Sequence, residues 1–537
     1  MSDSALLSRL FRRVSIEFQH ARNNADLSAL ARQVSALAPD GKNKPVVFFN
    51  ASTRLSGLSL NAAFNLLAGW CVRMAGTPTL HFICQAGMSR CVLGTNRDDA
   101  TQAPPCRACQ AQSRALYPGA QTQPLIWQPD QKLEKIVEGL DVDALMQVEY
   151  KNLPFGQLTL PALRWALRRH HLEDNENTRA IYRHYILSAE NIARQFDALL
   201  ERSQAGTVVL FNGMMYPEAV ARHLALHRDL RVITHEVGIQ PMSAYFTTGE
   251  ATAYPIDIPE DFELSEEQNA RLDEYLSQRF KGNFSMAGIR FWPEMQALPD
   301  EVTQRIQKFR QVVPVFTNVI FDTSQGHANV IFAHMFAWLD QVLEIVRAHP
   351  ETLFVIRAHP DEGRPGKESR ESVAQWAKNR GIQTLSNVLF VDTHEYISSY
   401  ELIQRSKFVM VYNSTIGLEA ALMGAAVLCA GKARFTQIPT VFQPRSVEEF
   451  NQQAEEMLVA DRIAIPPHYL RNARRFFYYQ LFRTSLPFSD LLEEDNIWRG
   501  YVRLKKFDWQ KLLPGQSPTL DVIREGILEC GSFLLPD

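Results

Sequence analysis

Short apolar runs rich in Val, Ile and Phe recur along the chain and predict buried strands, because a strand covered on both faces reads as a continuous apolar segment. Longer stretches with apolar residues every three or four positions lie between them and predict amphipathic helices. The predicted strands are 45–50, 78–84, 206–213, 230–238, 312–319, 352–360, 388–392, 407–413 and 425–431. This alternation is typical of α/β domains built on parallel sheets with crossover helices.

The alternation occurs twice, which predicts two Rossmann-like domains that face each other across a cleft. Residues 257–300 contain no strand pattern, and we place the connection between the domains there. An N-terminal Rossmann-like domain is predicted over 1–295, with a helical insertion around 110–203. A C-terminal Rossmann-like domain is predicted over 296–465, followed by a helical and irregular tail at 466–537.

The charge balance excludes one class of partner. Lys and Arg number 56 and Asp and Glu 59, for a net charge of −3 in 537 residues. A nucleic-acid-binding protein would usually carry a strongly basic face, so no nucleic-acid partner is expected. No apolar run approaches the ~18–20 residues that span a bilayer, and the N-terminus shows no signal-peptide pattern. We therefore expect a cytoplasmic protein.

The segment RAHPDE (357–362) stands at the end of a predicted strand and carries Arg357 and His359. The Arg guanidinium and the His ring N–H both suit phosphate oxygens. An ordinary turn closed by Pro360 is the structural alternative.

A second polar segment, YNSTIGLEAALMG (412–424), follows the strand KFVMV. Ser414 or Thr415 can cap a helix here, and a helix N-terminus attracts anions. Gly417 permits a close backbone approach. Glu419 would repel a diphosphate, so a functional Glu419 should accept hydrogen bonds from hydroxyl groups such as those of a ribose. The alternative is a plain capped helix that packs through its apolar face.

In the first domain, the strand ends LFNG (210–213) and THEVG (234–238) bring three polar candidates. His235 and Glu236 are adjacent on a strand, so they point to opposite faces and at most one faces a cleft. Either type of side chain can act as a general base. Asn212 and the loop residue Arg54 are candidates for binding an acceptor, with an ordinary turn as the alternative.

Four cysteines lie within 26 residues, and they are Cys84, Cys91, Cys106 and Cys109. A Cys-x2-Cys pair with two further thiols nearby could form a structural zinc or iron–sulfur site. The spacing of the first pair is unusual for a metal knuckle, and a loop with free thiols is the alternative.

The segment 470–483 carries four Arg and five aromatic residues and no acid. It could lie on an anionic membrane surface or pack on the body of the protein as a helix. Three motifs are absent from the sequence, namely a P-loop, a Gly-x-Gly-x-x-Gly after the first strand and an Asp-x-Asp at a strand end. A bound sugar nucleotide would therefore be held by basic side chains and a helix dipole without a required metal or other cofactor.

The run FVIRAHPDE, and then VLFVDTHEYISSYELIQRSKFVMVYNSTIGLEAALMGAAVLCAGKARF, resembles the donor-binding half of bacterial capsule and surface-polysaccharide glycosyltransferases. These enzymes have the GT-B fold and include capsule Kdo transferases and His-Pro-motif sialyltransferases. The likeness covers about 80 residues within 352–431 and is weaker in the first domain.

The resemblance implies that His359 contacts the donor phosphate with Arg357 beside it. It also implies that Ser414 and Thr415 hold the phosphate and that Glu419 binds the ribose. The donor-binding set predicted on this basis is Arg357, His359, Asn413, Ser414, Thr415, Gly417 and Glu419. The chain lacks the Asp/Glu-Asp/Glu-Gly base motif of sialyltransferases, so His235 and Glu236 are catalytic candidates by position alone.

The function predicted in this way is transfer of a sugar from a nucleotide donor to a surface-polysaccharide or lipid-linked glycan. Peripheral contact with the inner face of the plasma membrane or with other polysaccharide-assembly proteins fits such an activity. Three alternatives stay open at this point: a polyol-phosphate transferase of the teichoic-acid type, a non-catalytic subunit of a polysaccharide-export complex, and a metal or redox protein built on the four thiols.

Overall fold

The computed structural model describes residues 3–51, 56–281, 296–498 and 500–537, with side chains from residue 14 onwards. It contains strands at every predicted position. The strands are β1 Val46–Asn50, β2 Leu58–Ser59, β3 Thr79–Cys84, β4 Thr122–Leu125, β5 Thr207–Phe211, β6 Arg231–Val237, β7 Ser243–Thr247, β8 Gln311–Phe316, β9 Thr352–Arg357, β10 Val388–Val391, β11 Val409–Val411, β12 Val427–Cys429, β13 Leu486–Pro487, β14 Leu492–Glu494 and β15 Tyr501–Leu504.

Helices connect these strands and cover the faces of the sheets. They are α1 Asp3–Leu37, α2 Leu60–Met74, α3 Cys106–Leu116, α4 Gln131–Val137, α5 Val142–Met146, α6 Phe155–Leu167, α7 Glu176–Ser203, α8 Tyr216–His227, α9 Glu266–Phe280, α10 Asp300–Ile306, α11 Gln325–Ala328, α12 Met335–Ala348, α13 Val373–Arg380, α14 Ser399–Gln404, α15 Ile416–Leu422, α16 Val447–Val459, α17 Pro467–Tyr478 and α18 Pro518–Leu528. Among the described residues, no helix is long and apolar enough to cross a membrane.

Two main sheets share one topology. The first has the order β13-β7-β6-β5-β1-β3-β4, in which β6, β5, β1, β3 and β4 are parallel. The second is entirely parallel in the order β10-β9-β8-β11-β12. In each sheet the chain starts at a central strand, runs to one edge and returns to the other side, which is the Rossmann order. The predicted α/β fold class with two Rossmann-like sheets is confirmed.

The central strand β1 shows why these runs are continuously apolar. Val47 and Phe49 pack into a core formed with α6, α7 and α8. Val46 and Phe48 point the other way, into a core formed with α1, α2 and α18. All five residues of β1 are buried, because helices cover both faces of the sheet.

The C-terminal segment returns to the first sheet. β13 pairs with β7, and β15 pairs with β2 and β14 in a small antiparallel sheet. Phe533 stacks on Phe246, with ring centroids 5.9 Å apart. The segment predicted as a helical and irregular tail therefore also contains three strands. They are two to four residues long, too short for a recognisable alternation.

The basic aromatic segment 470–483 is packed on the body of the protein. Phe476 and Phe477 are buried in the core beneath α15. Arg475 donates to the carbonyl of Glu260 at 2.9 Å, and Arg474 pairs with Asp273 at 2.7 Å. Of the two interpretations, the structure has the packed helix.

Candidate active site at the cleft between the two sheets

In an open α/β sheet, ligands bind beyond the carboxyl ends of the strands, at the point where the strand order reverses. That point lies between β1 and β5 in the first sheet and between β8 and β11 in the second. Asn212 directly follows β5, and Asn413 comes two residues after β11. Gln325 donates to the Asn413 amide oxygen at 3.2 Å. A Cβ on the next residue, Gly326, would lie 3.3 Å from Met214 Cε, so the two edges meet here.

Among the predicted polar candidates of the first domain, Glu236 has a carboxylate fixed by several hydrogen bonds near the end of its strand. The carboxylate is half-buried near the end of β6. Its Oε2 accepts from the Asn212 amide at 2.8 Å. Its Oε1 accepts from the Asn61 amide at 3.2 Å and from the Val237 N–H at 3.0 Å. Both oxygens are thus held in place by protein donors.

Burial raises the pKa of Glu236, and the hydrogen bonds from Asn212, Val237 and Asn61 oppose this rise. The charge of Arg434, which lies in the second domain, also opposes it. The Arg434 guanidinium carbon lies 4.7 Å from the centre of the Tyr254 ring. A carboxylate with a raised pKa that senses a cation from the opposite domain can accept a proton from a group bound between them. Sequence reasoning missed Arg434, although its position just after the last predicted strand was an available signal.

His235 does not reach the cleft, so the prediction of a catalytic His235 is corrected. The side chain is completely buried, and its ring stacks on Phe246 with centroids 5.1 Å apart. Its Nε2 lies 3.2 Å from the Asn65 amide nitrogen. Burial lowers the pKa of His235 to about 3. The alternation of side chains along β6 places His235 in the core and its neighbour Glu236 at the opening.

Asn212, predicted to bind an acceptor, is buried, and its amide donates a hydrogen bond to Glu236. Its backbone adopts the left-handed conformation at φ 60°, which Asn tolerates better than most residues. Its side-chain oxygen accepts from the Met214 N–H at 3.0 Å while its amide donates to Glu236. It is therefore a positioning residue for the carboxylate. Arg54, the other acceptor-side candidate, lies outside the described residues.

His359 and Arg357 lie at the carboxyl end of β9. The His359 Nδ1 accepts from the Asp361 N–H at 3.1 Å, which leaves the proton of a neutral ring on Nε2. Desolvation lowers the pKa of His359, and the charges of Asp361 and Asp322 oppose that shift. Arg357 is buried and bonds to the Ser399 hydroxyl, and burial lowers its pKa to about 10. His359 is therefore the better exposed of the two.

The segment after β11 differs in part from its prediction. Thr415 occupies the N-cap position of α15, but its side chain makes no capping hydrogen bond, and the helix has seven residues. Ser414 is buried, and Thr415 is exposed. A Cβ on Gly417 would lie 2.9 Å from Val411 and 3.0 Å from Phe435, so this glycine lets the helix pack closely on β11. The structure thus gives Gly417 a packing role.

Glu419, predicted to bind a ribose, is engaged by protein donors. Its Oε1 accepts from Arg279 Nε at 3.1 Å and from Nη2 at 2.6 Å. Its Oε2 accepts from the Tyr400 hydroxyl at 2.6 Å. The carboxylate is buried, and the ion pair ties α15 to α9. Both oxygens of Glu419 thus have protein partners, which favours a structural role over the predicted contact with a ribose.

The cysteines Cys84, Cys91, Cys106 and Cys109 line one cavity of about 20 Å³. Burial raises the pKa of Cys91 to about 12, which favours a protonated thiol. Within 3–51, 56–281, 296–498 and 500–537, no group of three or more His, Cys, Asp or Glu side chains could hold a metal ion. The structure gathers the predicted thiols without arranging them as a ligand set.

Two Rossmann-type domains with a cleft at their carboxyl edges correspond to the predicted GT-B class of fold. Residues 293–461 match the family model of the capsule polysaccharide biosynthesis proteins. This range contains the whole second sheet and confirms the resemblance carried by 352–431. No curated protein matches the chain in sequence.

Several solved structures are similar to the chain. KpsC of Thermosulfurimonas dismutans, a beta Kdo 2,4 transferase, is 12% identical over 52% of this chain and 80% of its own, with a TM-score of 0.34. The beta Kdo 2,7 transferase of the same organism is 12% identical over 54% and 80%, with a TM-score of 0.32. Sucrose-phosphate synthase from Thermosynechococcus elongatus is 13% identical over 82% and 94%, with a TM-score of 0.26.

Proposed function

We propose that this protein is a glycosyltransferase of capsule or surface-polysaccharide biosynthesis. It would take a sugar from a nucleotide donor bound on the second domain and transfer it to a glycan or lipid-linked acceptor bound on the first. The match of 293–461 to capsule polysaccharide biosynthesis proteins supports the process.

The observation that carries the proposal is the position of Glu236 opposite basic groups of the second domain. Its carboxylate accepts hydrogen bonds from Asn61 and Asn212. Burial raises its pKa, and the positive charge of Arg434 opposes that rise. A general base needs a fixed position and a pKa raised towards the working pH. The hydrogen bonds fix the Glu236 carboxylate at the edge of the sheet where an acceptor would enter, and burial shifts its pKa in the required direction.

The donor side is supported by His359. Its Nε2 carries the proton of the neutral ring and can donate to a phosphate oxygen of the departing nucleotide. Arg434 and the buried Arg357 add positive charge to the same domain. A preorganised donor of this kind stabilises charge that develops on the leaving group.

The reaction would then proceed in one transfer. Glu236 takes the proton of an acceptor hydroxyl, whose oxygen forms the new bond to the sugar carbon. The bond between that carbon and the donor phosphate oxygen breaks, and the nucleotide leaves with the electron pair. Closure of the two domains around the substrates would exclude water and limit hydrolysis of the donor. Basic side chains would hold the phosphate, so no divalent cation would be required.

The proposal is tested by measuring thermal stability with CMP, CDP, UDP, GDP and their sugar conjugates. A ligand at 100 times its dissociation constant adds about 2.7 kcal/mol to the free energy of unfolding. We expect one nucleotide to raise the melting temperature selectively, and its sugar conjugate to be consumed when a glycan acceptor is added, with an equal rate in excess EDTA. A product that retains the donor phosphate would indicate a polyol-phosphate transferase. A donor that survives incubation with every acceptor would indicate a non-catalytic subunit.

A further inference from the structure

Arg168 is a buried cation with unpaired donors at the boundary of the two domains. It follows α6 with a left-handed backbone at φ 60°, and only 7% of the residue is exposed. Its guanidinium carbon lies 4.1 Å from the centre of the Trp165 ring and 5.2 Å from that of Phe321. Its Nε and Nη1 are buried and have no hydrogen-bond partner. Buried polar groups are nearly always paired, so these two N–H groups call for an acceptor.

Further cations surround Arg168. Arg97 and Arg364 lower its pKa in addition to the effect of burial, which brings the value to about 10. Lys367 is exposed. Partial desolvation of its ammonium group lowers its pKa, and the positive charges of Arg364 and Arg168 lower it further. Three acids lie in the same neighbourhood, and they are Asp322, Asp361 and Glu368. Asp361 pairs with Arg364 at 4.0 Å.

The cluster belongs to both domains. Arg168 comes from the first domain, whereas Phe321, against which it lies, follows β8 of the second. The Arg370 N–H donates to the Arg168 carbonyl at 2.9 Å, and Arg97 donates to the Gly366 carbonyl at 3.2 Å. The negative charges of Asp322 and Asp361 raise the pKa of His359 and also that of Lys367. The cluster therefore lies close to His359, the residue predicted to contact the donor phosphate.

We infer that Arg168, with Lys367 and Arg364, binds an oxyanion that is part of a substrate held in the cleft. Charged N–H donors suit the oxygens of a phosphate or a carboxylate, and the flanking rings keep the plane of the Arg168 guanidinium fixed. The inference rests on the proposed function, because the oxyanion would be a second anionic group of the donor or acceptor, separate from the phosphate at His359. It assigns the enzyme an anionic substrate.

The test uses titration calorimetry on the full chain with inorganic pyrophosphate and, separately, with malonate as a dicarboxylate. Arg168→Gln should raise the pyrophosphate or malonate dissociation constant by about 10- to 100-fold, the range expected for loss of a charged hydrogen bond. Lys367→Gln, at an exposed position, should raise it in the same direction and guards against misfolding of the first variant. Arg169→Gln is the matched control, since Arg169 pairs with Glu173. The anion with the larger change identifies phosphate or carboxylate as the group bound.

Two results would overturn the inference. One is a wild-type protein that binds neither anion. The other is Arg168→Gln and Lys367→Gln variants that bind both anions as the wild type does. Failure of the proposed function gives a different pattern, in which no nucleotide shifts the melting temperature while anion binding still depends on Arg168.

Discussion

The Asn212 amide nitrogen lies 2.8 Å from Oε2 of Glu236 and donates a hydrogen bond to it, across two neighbouring parallel strands. The same side chain accepts from the Met214 N–H at 3.0 Å, so the amide is fixed at both ends. The Asn212 N–H also donates to the His235 carbonyl at 2.9 Å. A backbone conformation that Asn tolerates is thus used to orient a carboxylate at the opening of the cleft.

Glu236→Gln should abolish the proposed base while keeping the shape of the side chain. We expect the rate of sugar transfer to fall by about 10²- to 10⁴-fold, the contribution typical of a general base. Donor affinity should stay close to that of the wild type, because the base contacts the acceptor. Initial rates of nucleotide release check this. The control is Glu176→Gln, whose exposed carboxylate pairs with Arg183 at 2.6 Å. A wild-type rate in Glu236→Gln would remove Glu236 from the mechanism.

Asn212→Gly should change the pH dependence of the reaction. The Asn212 hydrogen bond favours the charged carboxylate and lowers the pKa of Glu236, so its removal raises that pKa further. The acid limb of the rate profile should therefore move to higher pH, with a lower rate at neutral pH. Glycine accepts the left-handed backbone at 212 and limits the strain of the substitution. An unchanged limb with a lower maximum would mean that Asn212 acts only on the fold.

The tetrapeptide Arg-Ala-His-Pro occurs twice and provides its own control. His359→Ala should lower donor turnover by about 10²-fold or more, as for loss of a preorganised hydrogen-bond donor. His349 belongs to the other copy, at 347–350, and faces Glu351 at 3.2 Å and Glu455 at 2.7 Å. His349→Ala should leave turnover unchanged. Equal effects of the two variants on steady-state rate would contradict a phosphate role for His359.

Glu419→Gln should destabilise the protein without weakening the donor complex. The substitution leaves Arg279 buried beside a neutral partner, and breaking one side of a buried ion pair costs about 3–5 kcal/mol. Melting temperatures with and without nucleotide measure the two effects separately. Tyr400→Phe removes one hydrogen bond to the same carboxylate and should have a smaller effect in the same direction. Loss of donor affinity at unchanged stability would restore the ribose-binding role.

Buried His235 predicts sensitivity to acid. Its pKa is about 3 in the folded protein, and an unfolded His titrates near 6.5, so the unfolded state binds more protons below that pH. The contribution of His235 to the free energy of unfolding is fully present above pH ~6.5. It is lost as the pH falls towards 3, at up to about 1.4 kcal/mol per pH unit. His235→Gln should flatten the fall in melting temperature between pH 7 and 5. His394→Gln, at an exposed position, should leave the slope as it is. Equal slopes in the wild type and His235→Gln would contradict the prediction.

The sequence located the strands well, and with them the edge of each sheet. Apolar runs such as VVFFN and TLFVIR are local patterns that a strand buried on both faces requires, and both are strands in the structure. Because parallel strands end at one edge, the polar residues that follow them gather at that edge, where a ligand of an open α/β sheet would bind. The alternation along β6 also allowed at most one of His235 and Glu236 to face the cleft. Which of them does so depends on where the helices pack.

Only the tertiary structure decided which polar side chains form hydrogen bonds or ion pairs with each other. Glu419 reads as a free carboxylate in the first turns of a helix, but its partner Arg279 is 140 residues away in the chain. Arg434 and Arg168 carried no motif, and the roles proposed for them follow from the rings of the opposite domain that they contact, Tyr254 and Phe321. Strand and helix patterns are set by neighbouring residues and can be read locally. Pairing and burial of charges depend on long-range packing, and for this reason the sheet edges were predictable whereas the members of the site were not.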